Sequence, residues 1–388
     1  MLRWSTAGES HGSGLLVIIE GIPAGVPLTT EYLGRELARR QAGYGRGLRM
    51  KTHPDRVKIL SGVRKERTTG APIALGVGHL LVDNPIDSDL PGPDPEPGFE
   101  WVVPCPGHAD MAGYVKRHGI SLKDIRERAS ARQTASWVAA GAVAKAFLDL
   151  ARISFKSFVR SIGHSCVQGK PGPDDFSKIE NSPVRTFDKS VENQMIDEID
   201  AAIQKGDTLG GACELWIDGV PPGIGDYISP DARLDACLAA SMMAIPSVKV
   251  VRIGAEGIET LSGVDSLDRI KPMPDAPGGV ARSTNFAGGI EGGMSNGEQI
   301  IIILGCRPIP GVKIPLESVN LSTGEPENHK PMRSDVCVVP AICVIAEAMA
   351  ALVLAKAMIE KFGGDTVFEF QNNLAFYLNS AKPAWKKN

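Results

Sequence analysis

Clustered arginines are the residues with the clearest chemistry in this sequence. Arg46 and Arg49 lie in a glycine-rich loop shortly after Arg40, and Arg132 follows Ser130. A guanidinium pairs in bidentate fashion with a carboxylate or a phosphate, so this spacing favours a ligand with several negative charges. The alternatives are a solvated basic turn for the first segment and an ordinary helix cap at Ser130 for the second.

Two histidines and one aspartate could move protons. Ser10-His11 lies between glycines just before a strand, and His108 lies in a Pro-Gly-His turn. Histidine titrates near neutral pH, so each could be a general acid, although a lone histidine is often structural. Asp335 precedes an apolar helix and could be a base or simply cap that helix.

Motifs and composition exclude several classes of function. Neither GxxxxGK[ST] nor a GxGxxG that opens a helix occurs, so sites for ATP and dinucleotides lack their parts. The 42 Lys and Arg against 45 Asp and Glu give a net charge of -3, so nucleic acid is not a predicted partner. The seven cysteines form no CxxC pair or zinc-type cluster, which indicates no metal site and a reduced compartment.

The elements that must position these residues follow from the hydrophobic pattern. Thr29 or Thr30 caps a helix that turns Leu33 and Leu37 inward and carries Arg40 near its end. Two apolar helices are predicted at 133–151 and 346–361, and helices so apolar need cover on several sides. Buried strands that could supply that cover are predicted at 15–19, 57–63, 73–77, 212–220, 248–253 and 299–304.

One domain over residues 1–388 is predicted, because no Gly/Ser linker divides the chain. A proline-rich surface loop is expected at 83–99 and a polar C-terminal tail at 375–388. The first dozen residues lack the pattern of a secretory signal, and charges interrupt the apolar stretch 336–359. These features predict a cytoplasmic protein without a membrane partner.

Six segments, in order, resemble the signature stretches of the chorismate synthase family: GESHG, RRQAGYGRGLRM, PGHAD, ERASAR, RSTNFAGGIEGGMSNG and RSDVC, which together span residues 8–337. The resemblance implies an α+β fold, a β-α-β sandwich with central apolar helices between antiparallel sheets. It also implies a homotetramer and reduced FMN as cofactor. The implied reaction converts the small anionic substrate 5-enolpyruvylshikimate-3-phosphate to chorismate by 1,4-elimination of phosphate, which ends the shikimate pathway and feeds aromatic amino acid biosynthesis. NADPH would serve a chain that reduces its own flavin, and an external flavin reductase would serve one that does not.

The resemblance also assigns roles to residues. His11 matches the histidine proposed to protonate the leaving phosphate, and His108 the one proposed to protonate the reduced flavin. Asp335 matches the aspartate thought to help the flavin take the ring proton, and Ser10 and Ser130 match active-site serines. The matched substrate ligands are Arg40, Arg46, Arg49, Arg132 and Arg333, and the matched cofactor ligands are Arg128, Ala129, Ser130, Asn285, Ala287, Gly288, Gly289, Gly292, Arg307, Gly311 and Arg333.

The sequence departs from the family pattern near the expected ligands. Cys105 replaces an arginine, Gln133 a glutamate, Pro246-Ser247 an Asn-Ala pair, Arg307 a lysine, and Gly311 a threonine or serine. Losing a charge-assisted hydrogen bond costs about 1.5–3 kcal/mol. Two alternatives therefore stay open: a related flavin-dependent enzyme with a different anionic cyclohexene substrate, and a non-catalytic flavin-binding homologue.

Overall fold

The computed structural model describes residues 1–12, 14–47, 54–78, 101–331 and 334–381, so the predicted surface loop at 83–99 lies outside the described residues. In chain order the helices are α1 (Thr30–Gln41), α2 (Asp110–Lys116), α3 (Leu122–Ala129), α4 (Thr134–Asp149), α5 (Asp175–Asn181), α6 (Lys189–Lys205), α7 (Leu234–Met243), α8 (Gly263–Ser266), α9 (Val339–Phe362) and α10 (Val367–Ser380).

The strands form two larger antiparallel sheets, with orders β1-β2-β6-β3 and β10-β15-β9-β7-β8, and several two-stranded hairpins. Their bounds are β1 (Arg3–Ala7), β2 (Leu15–Glu20), β3 (Val57–Ser61), β4 (Val63–Arg64), β5 (Arg67–Thr68), β6 (Ile73–Val77), β7 (Ser154–Ile162), β8 (Ser165–Cys166), β9 (Gly211–Asp218), β10 (Val248–Ile253), β11 (Ile270–Pro272), β12 (Val280–Arg282), β13 (Ile290–Glu291), β14 (Met294–Ser295), β15 (Ile300–Cys306), β16 (Leu316–Val319) and β17 (Pro326–His329).

The first sheet buries one face and exposes the other. Along β2, Leu15, Val17 and Ile19 are buried, whereas Leu16 and Ile18 point outward. Successive side chains of a strand alternate between faces, so this pattern places the inner row against the helices. The outer row leaves an apolar surface exposed.

Helices α4 and α9 pack against each other between the sheets. α4 also contacts β2 and β6 of the first sheet, and α9 contacts β7 and β9 of the second. Gly141 allows the closest approach, because a Cβ there would lie 2.3 Å from the Cβ of Ala348. The predicted β-α-β sandwich with central apolar helices is confirmed.

α9 begins at Val339, earlier than the predicted 346, because the apolar pattern continues and Pro340 suits the first turn of a helix. It is the one helix within the described ranges that is long and apolar enough to cross a membrane, yet 83% of its most apolar window is buried inside the protein. Its burial between the sheets identifies it as a core helix.

Two other predicted boundaries differ from the structure. The predicted strand 57–63 is split at Gly62, whose φ of +80° turns the chain. The predicted polar tail at 375–388 is helical as far as Ser380. α10 forms there because Thr366 and Glu369 make a capping box and Phe370 and Leu374 are buried.

A buried charge network fixes α1 between the layers. Glu347, at the centre of α9, is fully buried and accepts hydrogen bonds from Arg39 of α1, Lys145 of α4 and Ser157 of β7. Thr29 caps α1 by accepting from the backbone N–H of Tyr32. This network therefore anchors α1 at Arg39, immediately before Arg40.

Candidate active site

Arg40 lies at the end of α1 and points into the protein. Its Nε donates to Thr134 Oγ1 at 3.0 Å, and its Nη2 donates to the carbonyl of Ala131 at 3.1 Å. Its Nη1 donates to Asp55 Oδ2 at 3.2 Å. These partners link the end of α1 to the turn that begins α4.

Two more arginines join this cluster. Arg132 pairs with the other carboxylate oxygen of Asp55. Arg46 Nε lies 3.4 Å from Asp335 Oδ2, and Asp335 Oδ1 accepts a 2.6 Å hydrogen bond from the backbone N–H of Gly47. Arg46 is buried, and its Nε has no hydrogen bond to any residue in the described part of the chain.

Positive charge exceeds negative charge in this cluster. Arg40, Arg46 and Arg132 face the two carboxylates of Asp55 and Asp335. Burial lowers the pKa of Arg40 to about 9, and the like charges of Arg46 and Arg132 add to that effect while Asp55 opposes it. Arg40 remains a cation at neutral pH. Buried charge without a partner is costly, so the cluster is suited to bind an anion.

His11 forms a dyad with Glu127 at the end of α3. The His11 Nδ1 lies 2.6 Å from Glu127 Oε1, and the His11 backbone N–H donates to Glu127 Oε2 at 2.7 Å. Ser10 Oγ lies 3.1 Å from the same Nδ1. Burial raises the pKa of Glu127, but the hydrogen bonds from His11 outweigh burial, so the net shift is downward. Glu127 is therefore a carboxylate at neutral pH.

Arg128 and Gln133 hold the His11 loop beside the arginine cluster. Arg128 donates to the carbonyl of Gly8 at 3.0 Å and to Gln133 Oε1 at 2.6 Å, while Gln133 Nε2 donates to the same carbonyl. A carboxylate at position 133 could not make that last bond, because it has no N–H. Ser130 Oγ accepts from the backbone N–H of Arg132 at 3.3 Å, which is the capping role considered for it.

A cavity of about 450 Å³ opens next to this loop. That volume lies in the range of about 300–1,000 Å³ typical of small-molecule sites. Trp4 and Trp137 meet edge to face in its wall, with ring centroids 6.4 Å apart. The lining includes three of the predicted cofactor ligands and residues from two of the departures: Trp4, Ser5, Thr6, Arg128, Ala129, Ser130, Gln133, Trp137 and Pro246.

His108 lies beside a buried ion pair. Arg126 donates to the fully buried Asp110 at 2.6 Å, and Asp110 also accepts from the backbone N–H of Cys105 at 2.8 Å. Burial lowers the pKa of His108; Arg126 and Arg307 act in the same direction and Asp110 opposes them. His108 is consequently neutral at neutral pH in the protein alone.

The structure gives a physical account of two departures from the family pattern. Cys105 is 2% exposed, its Sγ lies 3.6 Å from the carbonyl of Pro310, and burial raises its pKa, so it is a neutral thiol. A Cβ on Gly311 would lie 2.2 Å from both Cβ and Oγ of Ser334. Ser334 therefore occupies the space that a threonine or serine at position 311 would need.

Arg307 directly follows β15, at the end of the second sheet that lies near His108 and Cys105. It donates to the carbonyl of Gly107, next to His108, and its backbone N–H donates to the carbonyl of Ser247 at 2.9 Å. Its guanidinium therefore supplies a positive charge at the turn in which the neutral Cys105 replaces an arginine.

The glycine-rich segment is not brought to this site within one chain. Asp268 accepts from the backbone N–H of Ala287, and Gly288 packs on Gly254, just beyond the end of β10. Arg307 lies at the opposite end of β10 and β15, a separation of about 16 Å along the strands. The predicted cofactor ligands on the far side are Asn285, Ala287, Gly288 and Gly289, and Gly292 lies in the following turn between β13 and β14.

Two carboxylates of this site are missed by the sequence analysis. Glu127 lies in the ERASAR segment without a predicted role, and Asp55 lies in none of the six family segments. The signal available for each was an acidic residue close to a run of arginines. Arg49 and Arg333 lie outside the described residues.

Comparisons with known proteins identify the family. A family model described as chorismate synthase matches residues 2–359. Chorismate synthase from Mycolicibacterium smegmatis is 46% identical, over 98% of this chain and 97% of the relative. That from Rhodococcus opacus is also 46% identical, over 97% and 98%. A crystal structure of chorismate synthase covers 98% of both chains, with a TM-score of 0.78 and 35% identity.

Proposed function

The chain belongs to the chorismate synthase family and is a lyase that converts 5-enolpyruvylshikimate-3-phosphate to chorismate and phosphate; we propose that it does so with reduced FMN bound beside the arginine cluster. The resemblance drawn from the sequence motifs is thereby confirmed. Family membership does not say which residues of this chain bind the substrate and the flavin, and these ligands are proposed from the geometry of the site.

The buried arginine cluster is the observation that carries the substrate assignment. Arg40, Arg46 and Arg132 meet only two carboxylates among the described residues, and the buried Nε of Arg46 makes a 3.4 Å ion pair but no hydrogen bond there. A substrate with two carboxylates and one phosphate needs several guanidiniums, and fixed charges in a buried site stabilise charge that develops on a leaving group.

The proton-transfer groups have distinct environments. His11 is about half exposed and bonded to an ionised carboxylate, which suits a donor to the leaving phosphate. His108 is neutral in the protein alone, so it would donate a proton only after an anionic ligand raised its pKa. Asp335 also holds the Gly47 backbone and Arg46, so its role as a proton acceptor stays a prediction.

FMN fits the residues present. The cavity has the size of a small-molecule site and an aromatic wall, and Arg128, Ala129 and Ser130 line it. Arg307 provides a cation for a phosphate group. Gly311 has no hydroxyl group, but the hydroxyl of Ser334 lies where a side chain at position 311 would be. When bound, reduced FMN supplies electron density that stabilises positive charge as phosphate leaves.

Assembly, location and flavin reduction complete the proposal. A homotetramer is supported by the outward apolar residues Leu16, Ile18 and Leu60, which are 36%, 47% and 50% exposed on the first sheet. Another copy could also bring the segment that contains Asn285 to a site that it does not reach within its own chain. We further propose a cytoplasmic enzyme whose flavin is reduced by NADPH or by an external reductase.

An anaerobic assay with dithionite-reduced FMN and 5-enolpyruvylshikimate-3-phosphate tests the function. Chorismate and phosphate are expected in equal amounts, and none with oxidised FMN. Binding of flavin without turnover would instead favour the altered-substrate alternative, for which the neutral Cys105 thiol is the specific observation. In that case related anionic cyclohexene compounds would be tried next.

A further inference from the structure

The carboxylate of Glu127 is the part of the His11 environment with no assigned role. It accepts from His11 twice, at 2.6 Å from Nδ1 and at 2.7 Å from the backbone N–H. The backbone N–H of Ser10 also donates to the carbonyl of Glu127 at 3.2 Å. These contacts between one residue of α3 and two residues of the loop fix the position of the imidazole.

The geometry determines which nitrogen of His11 carries the proton. A carboxylate only accepts hydrogen bonds, so the Nδ1 that faces Glu127 must be the N–H nitrogen of neutral His11. Nε2 has no hydrogen bond to the residues that the structure describes, and the His11 side chain is 47% exposed. Nε2 is thus the nitrogen that can exchange a proton with a ligand.

We propose that Glu127 is a positioning residue for His11: it holds the proton on Nδ1, directs Nε2 toward the substrate and stabilises the imidazolium form that donates to the leaving phosphate. As the carbon–oxygen bond breaks, its electron pair leaves with the phosphate, and the Nε2 proton passes to a phosphate oxygen. His11 becomes neutral and keeps its Nδ1 proton, which stays hydrogen-bonded to Glu127, and solvent returns a proton to Nε2. This inference rests on the proposed function for the step, whereas the dyad itself can be tested without turnover.

The first test is the tautomer of His11 in the folded protein, read from ¹⁵N chemical shifts of the imidazole. Wild type is expected to carry the proton on Nδ1 in the neutral form. In Glu127→Gln the amide can donate to Nδ1, so the Nε2–H form should gain. A wild-type protein with the proton mainly on Nε2 would overturn the proposal, whether or not the enzyme turns over and whether or not the variant folds.

The second test is kinetic and uses two controls. Glu127→Gln should lower kcat on the order of tenfold and move the basic limb of the kcat/KM profile to lower pH, since the imidazolium loses its partner carboxylate. Glu9→Gln removes the same charge from an exposed neighbour in the loop and should change neither.

A double variant separates positioning from a structural effect. If Glu127 acts through His11, adding Glu127→Gln to His11→Ala should cause little further loss, because the two residues work as one unit. Additive losses, or an unshifted pH profile in the single variant, would show that Glu127 only supports the fold. Absence of all turnover in wild type would count against the proposed function and leave the tautomer measurement to decide on the dyad.

Discussion

At the scale of single residues, Glu347 in the core and Arg46 in the site differ in how their buried charge is compensated. Glu347 is as buried as any site residue, yet Arg39 and Lys145 compensate it fully. The Nε of Arg46 makes only a 3.4 Å ion pair with Asp335 and no hydrogen bond to the described residues. Both are buried charges, but only the arginine has bonding capacity left for a ligand.

Replacement of Arg46 by alanine tests that difference. Loss of a charge-assisted contact should lower kcat/KM for the substrate by roughly 10- to 100-fold, mainly through KM. Arg64→Ala removes an equal charge from an exposed strand residue and should have no effect on KM. Steady-state kinetics decide the matter: equal values for the two variants would mean that Arg46 is not a substrate ligand.

At the scale of elements, the close approach of α4 and α9 depends on one glycine. Gly141 has no room for a Cβ, which would lie 2.3 Å from the Ala348 Cβ and 2.7 Å from its carbonyl oxygen. Since α4 packs on the first sheet and α9 on the second, a shift between the two helices would disturb the whole sandwich. Intrinsic helix propensity, which favours alanine, is outweighed here by packing.

Gly141→Ala is therefore expected to destabilise the protein by about 1–3 kcal/mol, the usual cost of overpacking. Gly34→Ala is the matched control, because Gly34 lies in α1 and a Cβ there has nothing within 4 Å. That change should stabilise by about 0.5–1 kcal/mol through helix propensity. Thermal and urea unfolding of both variants measure the contrast, and changes of the same sign would refute the packing argument.

At the scale of the whole molecule, acid should unfold the protein through carboxylates paired between layers. Burial raises the pKa of Glu180, but hydrogen bonds from Arg185 and Arg39 outweigh it, giving about 2. The pKa of Glu347 is also lowered: burial raises it, and Lys145 and Arg39 overcome that effect. Each group stays ionised in the folded protein well below the pH at which it protonates when unfolded.

The stability that these carboxylates contribute decreases as the pH falls. An unfolded glutamate has a pKa of about 4.3, so the stability from these groups is complete above that value and is lost as pH falls toward 2. Tm should be level near neutrality and decline below about pH 4. Glu180→Gln should flatten the decline, whereas the exposed Glu20→Gln should not. A Tm that rises on acidification would contradict this account.

Self-association is also a property of the whole molecule. Sedimentation equilibrium should give a mass about four times the 41.2 kDa of one chain. Ile18→Glu places a charge on the exposed apolar face of the first sheet and should reduce the mass, while Ile270→Glu on β11 serves as an exposed control. A wild-type mass near 41.2 kDa would rule out the tetramer.

The sequence alone predicted the family, the two central helices and the strands β2, β3, β6, β9, β10 and β15, but not β1 or β7. Alternation in β2 and the apolar lengths of α4 and α9 are local patterns, and the ordered motifs are read directly from the chain. These features were predictable because a short stretch of sequence dictates how much of its surface must be buried.

Only the tertiary structure decided how charges are paired. Glu127 reaches His11 across 116 residues of sequence, and Asp55 reaches Arg132 across 77. The glycine-rich segment also belongs to the family signature, yet it lies at the end of β10 that is far from Arg307. Compensation of a buried charge depends on which residues the folded layers bring within hydrogen-bonding distance, and no local pattern encodes that distance.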